Sequence, residues 1–166
     1  MRSLLMLSLL ILSACYTAPK QLNFDTAQAM QDWRSVKDRQ PIIQGSGERT
    51  HAALVKALED CRNTTVYITD QKNYGVSDYW ATPDEYRANK GGDCEDTAIC
   101  VYYSLRANGF QEEDLYLMLG NDGKGGHAAL SVQTIDGLYV IDNQHRTPIA
   151  NDDFMGKLFT ASILIN

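Results

Sequence analysis

The chain has no basic stripe. Its 15 lysines and arginines are scattered among 21 aspartates and glutamates, for a formal net charge of −6. Without an electrostatic footprint for phosphate backbones, nucleic acid is excluded as a partner. Internal repeats and low-complexity tracts are also missing, which excludes a repeat architecture. No apolar run reaches membrane-spanning length, since the longest, residues 4–12, has the size of a signal-peptide core. The length excludes two full domains: 166 residues with 44% hydrophobic and 22% charged content suit one compact core. Cysteine is scarce, with four in all: Cys15, Cys61, Cys94 and Cys100.

The compartment is legible at the start of the chain. Arg2, the apolar run and then Leu12-Ser13-Ala14-Cys15 resemble the signal and lipobox of bacterial lipoproteins, in which the cysteine becomes the lipidated first residue. That resemblance implies residues 1–15 as a signal peptide and Cys15 as a membrane anchor. It implies a periplasmic domain, with Tyr16 in the following position pointing to the outer membrane. An ordinary secretory signal with a chance cysteine would also export the domain. Residues 16–25, short and polar with Pro19, read as a tether, and residues 26–166 as the folded domain. Three cysteines then remain in an oxidising compartment, and the odd number implies at least one thiol kept free.

Helical spacing at Ala29, Met30, Trp33, Val36 and Lys37 predicts a helix that stops before Pro41. A second helix is expected from about Glu48 through Leu58. Thr82, Pro83 and Glu85 form a capping-box start for a short third one. The Gly91-Gly92-Asp93 entry leads into the most helix-like segment, which ends at Asn108-Gly109. Later runs at residues 115–119, 128–133, 138–141 and 159–165, separated by Gly, Asn and Asp, read as strands, with Asp136-Gly137 as a hairpin turn. Helices first and an antiparallel sheet second predict an α+β fold.

Cys94 falls where a loop becomes the first turn of a helix. Free backbone N–H groups and the positive dipole end favour a thiolate there and offer donors to an oxyanion. A cysteine nucleophile needs a base and a group to orient that base. His127 opens one strand and Asp142 closes the next, and the hairpin brings both toward the same end. The pattern suits acyl transfer.

These residues resemble a known family. Gly-Asp-Cys-Glu-Asp before a helix, His-Ala-Ala-Leu on a strand, Asp-Asn after the next strand and the block at residues 78–83 are similar to the bacterial transglutaminase-like cysteine proteinases, over residues 78–143. The resemblance implies a papain-like, transglutaminase-like fold with Cys94 as nucleophile, His127 as base and Asp142 as orienting group. Known members are periplasmic proteases that clip large surface adhesins and so release cells from biofilms. An exported or cell-surface protein, with a biofilm adhesin as one candidate, is therefore the implied substrate. The alternatives are a cell-wall peptide amidase or transamidase on the same fold, or a non-catalytic calcium-binding envelope module.

Asp93, Glu95 and Asp96 would raise the thiol pKa and work against the thiolate. A divalent cation would compensate, and hard oxygen ligands suit calcium. Family resemblance assigns Asp93, Glu95 and Asp96 as calcium ligands; otherwise, acids in a first turn merely complement the helix dipole. Trp80 reads as packing or as part of the cleft. Cys100, on the far side of the helix from Cys94, reads as core or as a disulfide partner of Cys61. His51 and His145 read as surface or packing residues.

Overall fold

The structure, a computed structural model, describes residues 25–166 apart from residue 64. The expected signal peptide, the lipidation site Cys15 and most of the tether lie outside the described residues.

Helix α1 (Thr26–Arg39) starts at Asp25, whose carboxylate accepts from the Ala27 and Gln28 N–H groups at 2.9 and 3.1 Å. Ala29, Trp33 and Val36 form its buried stripe. Helix α2 (His51–Arg62) starts at the Thr50 cap, a few residues later than the spacing suggested, and buries Leu54, Ala57, Leu58 and Cys61. Strand β1 (Val66–Tyr67) pairs in parallel with β2 (Gly91–Gly92), so the glycine pair expected as a loop is a short strand. Glycine is required by closeness: a Cβ at position 91 would stand 2.0 Å from the Val66 carbonyl oxygen.

Between these strands lie α3 (Asp70–Asn73) and α4 (Pro83–Ala88), the latter with the full capping box of Thr82 and Glu85. Helix α5 (Cys94–Ala107) then runs through the centre, burying ten of its residues, Glu95 through Tyr103 and Leu105. A 3₁₀ turn at Glu112–Asp114 leads into β3 (Leu115–Asn121), β4 (Gly126–Thr134), β5 (Gly137–Ile141), β6 (Ile149–Ala150), α6 (Asn151–Phe154) and β7 (Thr160–Ile165).

The last five strands form one antiparallel sheet in the order β6-β5-β4-β3-β7. Alternation divides its side chains between two faces. Leu117, Leu119, Ala128, Leu130 and Ile141 meet α5 and the residues of α1 and α2 in the main core. Met118, Ala129, Val140, Phe154 and Phe159 make a smaller cluster on the other face. The β4–β5 register pairs Gln133 with Leu138 and Thr134 with Gly137, so the unpaired turn residues are Ile135 and Asp136, one position earlier than expected.

Two devices hold the helices around the N-terminus of α5. The Arg39 guanidinium binds the Tyr79 hydroxyl, the Trp80 carbonyl and the Glu85 carboxylate, tying α1 to the segment before α4. Cys61 and Cys100 form a disulfide with a Cα–Cα separation of 6.0 Å, joining α2 to α5. The bridge spans 39 positions, and the chain-entropy relation gives about 4 kcal/mol for a loop of that size. A Cys61→Ser, Cys100→Ser variant is expected to lose about that much stability in urea unfolding. Reductant should lower the wild type by a similar amount and leave the variant unchanged.

Candidate active site

Among the described residues Cys94 is the one free cysteine. It is the first residue of α5, and its thiol donates a hydrogen bond to Glu95 Oε2 at 3.1 Å. Its pKa is pushed far above the ordinary thiol value, first by burial and then by the Glu95 charge, while the Ala128 backbone N–H acts in the opposite direction. The acids beside the cysteine therefore oppose the thiolate, as the local sequence predicts.

His127 and Asp142 are both buried, with 6% and 4% of their surfaces exposed, and His127 Nε2 lies 2.8 Å from Asp142 Oδ1. An ionised carboxylate only accepts, so Nε2 carries the hydrogen and Nδ1 is the ring nitrogen left to act as base. Burial raises the Asp142 pKa, but the bond to His127, the Gln144 backbone N–H and His145 outweigh it and hold the carboxyl below its usual range. The His127 ring packs edge-on at 6.2 Å to Phe159, a member of the smaller cluster. The imidazole reaches the thiol side at the start of β4, where His127 and Cys94 together line two clefts.

The larger cleft, 690 Å³, is bounded by Arg62, Tyr67, Lys124 and Asn143 in addition to that pair. The smaller, 320 Å³, is bounded by Asp32, Asp78, Trp80 and Glu95. The two clefts meet at the sulfur and the imidazole, as the two sides of a scissile bond require. Trp80 is buried and walls the smaller cleft, so packing and cleft lining coincide.

The carboxylates are clustered more densely than the sequence suggested. Asp70, Asp93 and Asp96 bring ligand oxygens within 4.8 Å of one another, as do Asp70, Asp78 and Glu95; Asp93 and Glu95 form a similar group with the Cys94 sulfur. Glu95 and Asp96 are 9% and 0% exposed. Acids that only complement a helix dipole would sit in water. Asp70 Oδ1, Asp93 Oδ1 and Asp96 Oδ2 are buried without a hydrogen-bond partner. Burial raises the Asp70 pKa to about 6 and the Asp96 pKa to about 7, with the Asp93 charge adding to both. Glu95 is pushed well up, by burial and then by the Asp93 charge. Asp96 is packed so closely that a Cβ at position 92 would stand 2.0 Å from its Oδ2. Oxygen donors with unpaired lone pairs, held together against their own repulsion, fit a hard cation of the calcium type.

Two parts of this arrangement were not anticipated. Asp70 and Asp78 come from segments well before the cysteine, where no local spacing flags them. His145 was read as surface or packing, but its Nδ1 lies 2.9 Å from Asp142 Oδ2 while its side chain remains 39% exposed. His51 packs at a tilt against Tyr139, with ring centroids 4.6 Å apart, and takes no part in the site.

A half-buried thiol at the head of a central helix, packed on an antiparallel sheet that carries a histidine on one strand and an aspartate just past the end of the next, is the arrangement of the transglutaminase-like cysteine hydrolases. Residues 23–152 match the bacterial transglutaminase-like cysteine proteinases, and the chain belongs to that family. It is accordingly a cysteine peptidase with a papain-like α+β fold. Among solved structures it is similar to Legionella pneumophila LapG in calcium-bound form, with a TM-score of 0.59 and 22% identity over 87% of this chain and 78% of that one. The EGTA-treated form of LapG gives a TM-score of 0.58 and 23% identity over 87% and 76%. No curated protein sequence matches.

Proposed function

We propose that the chain cleaves an exported or cell-surface protein through a Cys94-His127-Asp142 triad, with a biofilm adhesin as the candidate substrate. The observation that carries this reading is the buried His127–Asp142 pair at 2.8 Å in the cleft that also holds the one free thiol among the described residues. His127 Nδ1 takes the Cys94 proton, and the sulfur attacks the peptide carbonyl carbon. The backbone N–H groups of the first turn of α5 face the resulting oxyanion. Collapse of this intermediate breaks the C–N bond, and the leaving amine takes the proton from His127. Water then attacks the acyl-enzyme, with His127 as base again, and frees the thiol.

Asp93, Glu95 and Asp96, together with Asp70 and Asp78, would hold calcium. The ion would supply positive charge beside the nucleophile and occupy the lone pairs of Glu95, to which the thiol otherwise donates. Support comes from the unpaired buried carboxylate oxygens and from a fold shared with a protein whose structure is known in a calcium-bound form. The lipobox-like Cys15 and the Cys61–Cys100 disulfide both suit a periplasmic domain anchored by lipid, with the outer membrane as the favoured site.

The test is a thiol-directed activity probe followed by incubation with envelope proteins. Labelling of the wild type and its loss in Cys94→Ala are expected, along with cleavage of a large envelope protein that EGTA suppresses. An unlabelled wild type would point to a non-catalytic module. Release of cell-wall peptide amide groups without protein cleavage would point to an amidase.

A further inference from the structure

Asp142 is gripped by two imidazoles. Its Oδ1 accepts from His127 Nε2 at 2.8 Å and from the Gln144 backbone N–H at 2.9 Å, and its Oδ2 accepts from His145 Nδ1 at 2.9 Å. We propose that His145 is a positioning residue of the peptidase, fixing the plane of the Asp142 carboxylate so that His127 keeps the orientation and tautomer that Cys94 requires. This inference rests on the triad reading above and extends it by one residue.

His145 is itself held on several sides. Its backbone N–H bonds the Asp142 carbonyl at 3.2 Å, which closes the turn after β5. Its own carbonyl accepts from the Arg62 guanidinium at the end of α2, and its ring stands edge-on to Phe154 at 6.4 Å. Phe154 stacks on Phe159, whose ring meets His127. The two histidines are thus braced against one aromatic pair as well as against one carboxylate.

The physical need for a second donor is rotational. A carboxylate bonded through Oδ1 alone can turn about its Cβ–Cγ axis, and each turn swings the acceptor away from the imidazole plane. A donor on Oδ2 stops that rotation. The carboxylate accepts only, so the His145 hydrogen must be on Nδ1. An asparagine at 145 carries an amide N–H in nearly the same place and should do the same work, whereas alanine cannot.

The experiment follows the rate at which iodoacetamide alkylates Cys94 in the calcium-saturated protein, read by mass spectrometry of the peptide that contains it. His127→Ala gives the floor. His145→Ala is expected to slow alkylation about tenfold, the effect of losing one hydrogen bond to a charged group. His145→Asn should restore the rate to within about twofold of wild type on the same estimate. A His127→Ala variant as fast as wild type would remove the triad reading itself. If His127→Ala is slow but His145→Ala reacts at the wild-type rate, the triad stands and the positioning role is lost. Should the alanine variant fail to fold, the asparagine variant decides: a folded but slow His145→Asn overturns the proposal.

Discussion

Replacing His127 with alanine is expected to lower the rate of substrate cleavage by about three to four orders of magnitude, in a protein that still folds but melts at a lower temperature. The size follows from the setting of the thiol. Burial and the Glu95 charge both disfavour its ionised form, so without an adjacent base almost no thiolate is present to attack. Some stability should be lost as well, because the imidazole is buried and hydrogen-bonded to Asp142, whose buried carboxylate alanine leaves without that partner. Non-additivity supplies a stricter check. Once Cys94 is alanine, adding His127→Ala should cost almost nothing more, because the two side chains act in one step. Separate, multiplying losses would mean that the histidine serves binding or folding instead.

The second large effect concerns calcium and pH together. Asp70 and Asp96 have folded pKa values raised to about 6 and about 7 from an ordinary 3.8. Groups shifted upward contribute stability that is fully present below pH 3.8 and is lost as pH rises through 6 and 7. In EGTA the protein should therefore be less stable at pH 8 than at pH 5, by on the order of 3 kcal/mol. Calcium should abolish or reverse that slope, because it favours the ionised carboxylates that protons would otherwise neutralise. Asp96→Asn separates charge from packing, since the amide oxygen can still accept from the Ala81 N–H as Asp96 Oδ1 does at 2.7 Å. This variant should melt higher than wild type in EGTA at pH 8 and lose most of its response to calcium. Identical melting curves with and without calcium across this range would remove the ion from the site.

What the sequence revealed and what it hid divide along contact distance. The Thr82-Pro83-Glu85 start, the α5 helix and the strand carrying His127 were legible because capping and periodicity are local. The pairing of His127 with Asp142 was legible as well, because a hairpin with a short turn brings nearby residues together. Asp70 and Asp78 were hidden because they reach the cysteine only when β1 pairs with β2 and carries the following segment alongside α5. The β1–β2 pairing itself was unreadable, since two glycines look like a loop until a neighbouring carbonyl claims the space of their missing side chains. His145 was hidden for another reason: a single polar residue beyond a strand end carries no pattern, and its role lies in which oxygen of Asp142 remains free.

The disulfide has one more consequence. Cys94 and all five clustered acids, Asp70, Asp78, Asp93, Glu95 and Asp96, fall inside the covalent ring that Cys61 and Cys100 close, while His127 and Asp142 lie outside it. Even a fully denatured chain, while oxidised, therefore keeps the acids and the sulfur corralled in one macrocycle. Oxidised protein diluted from urea should regain calcium affinity sooner than it regains a reactive thiol, because the second event must wait for the hairpin to dock. With the ring opened by reductant, that order of events should disappear.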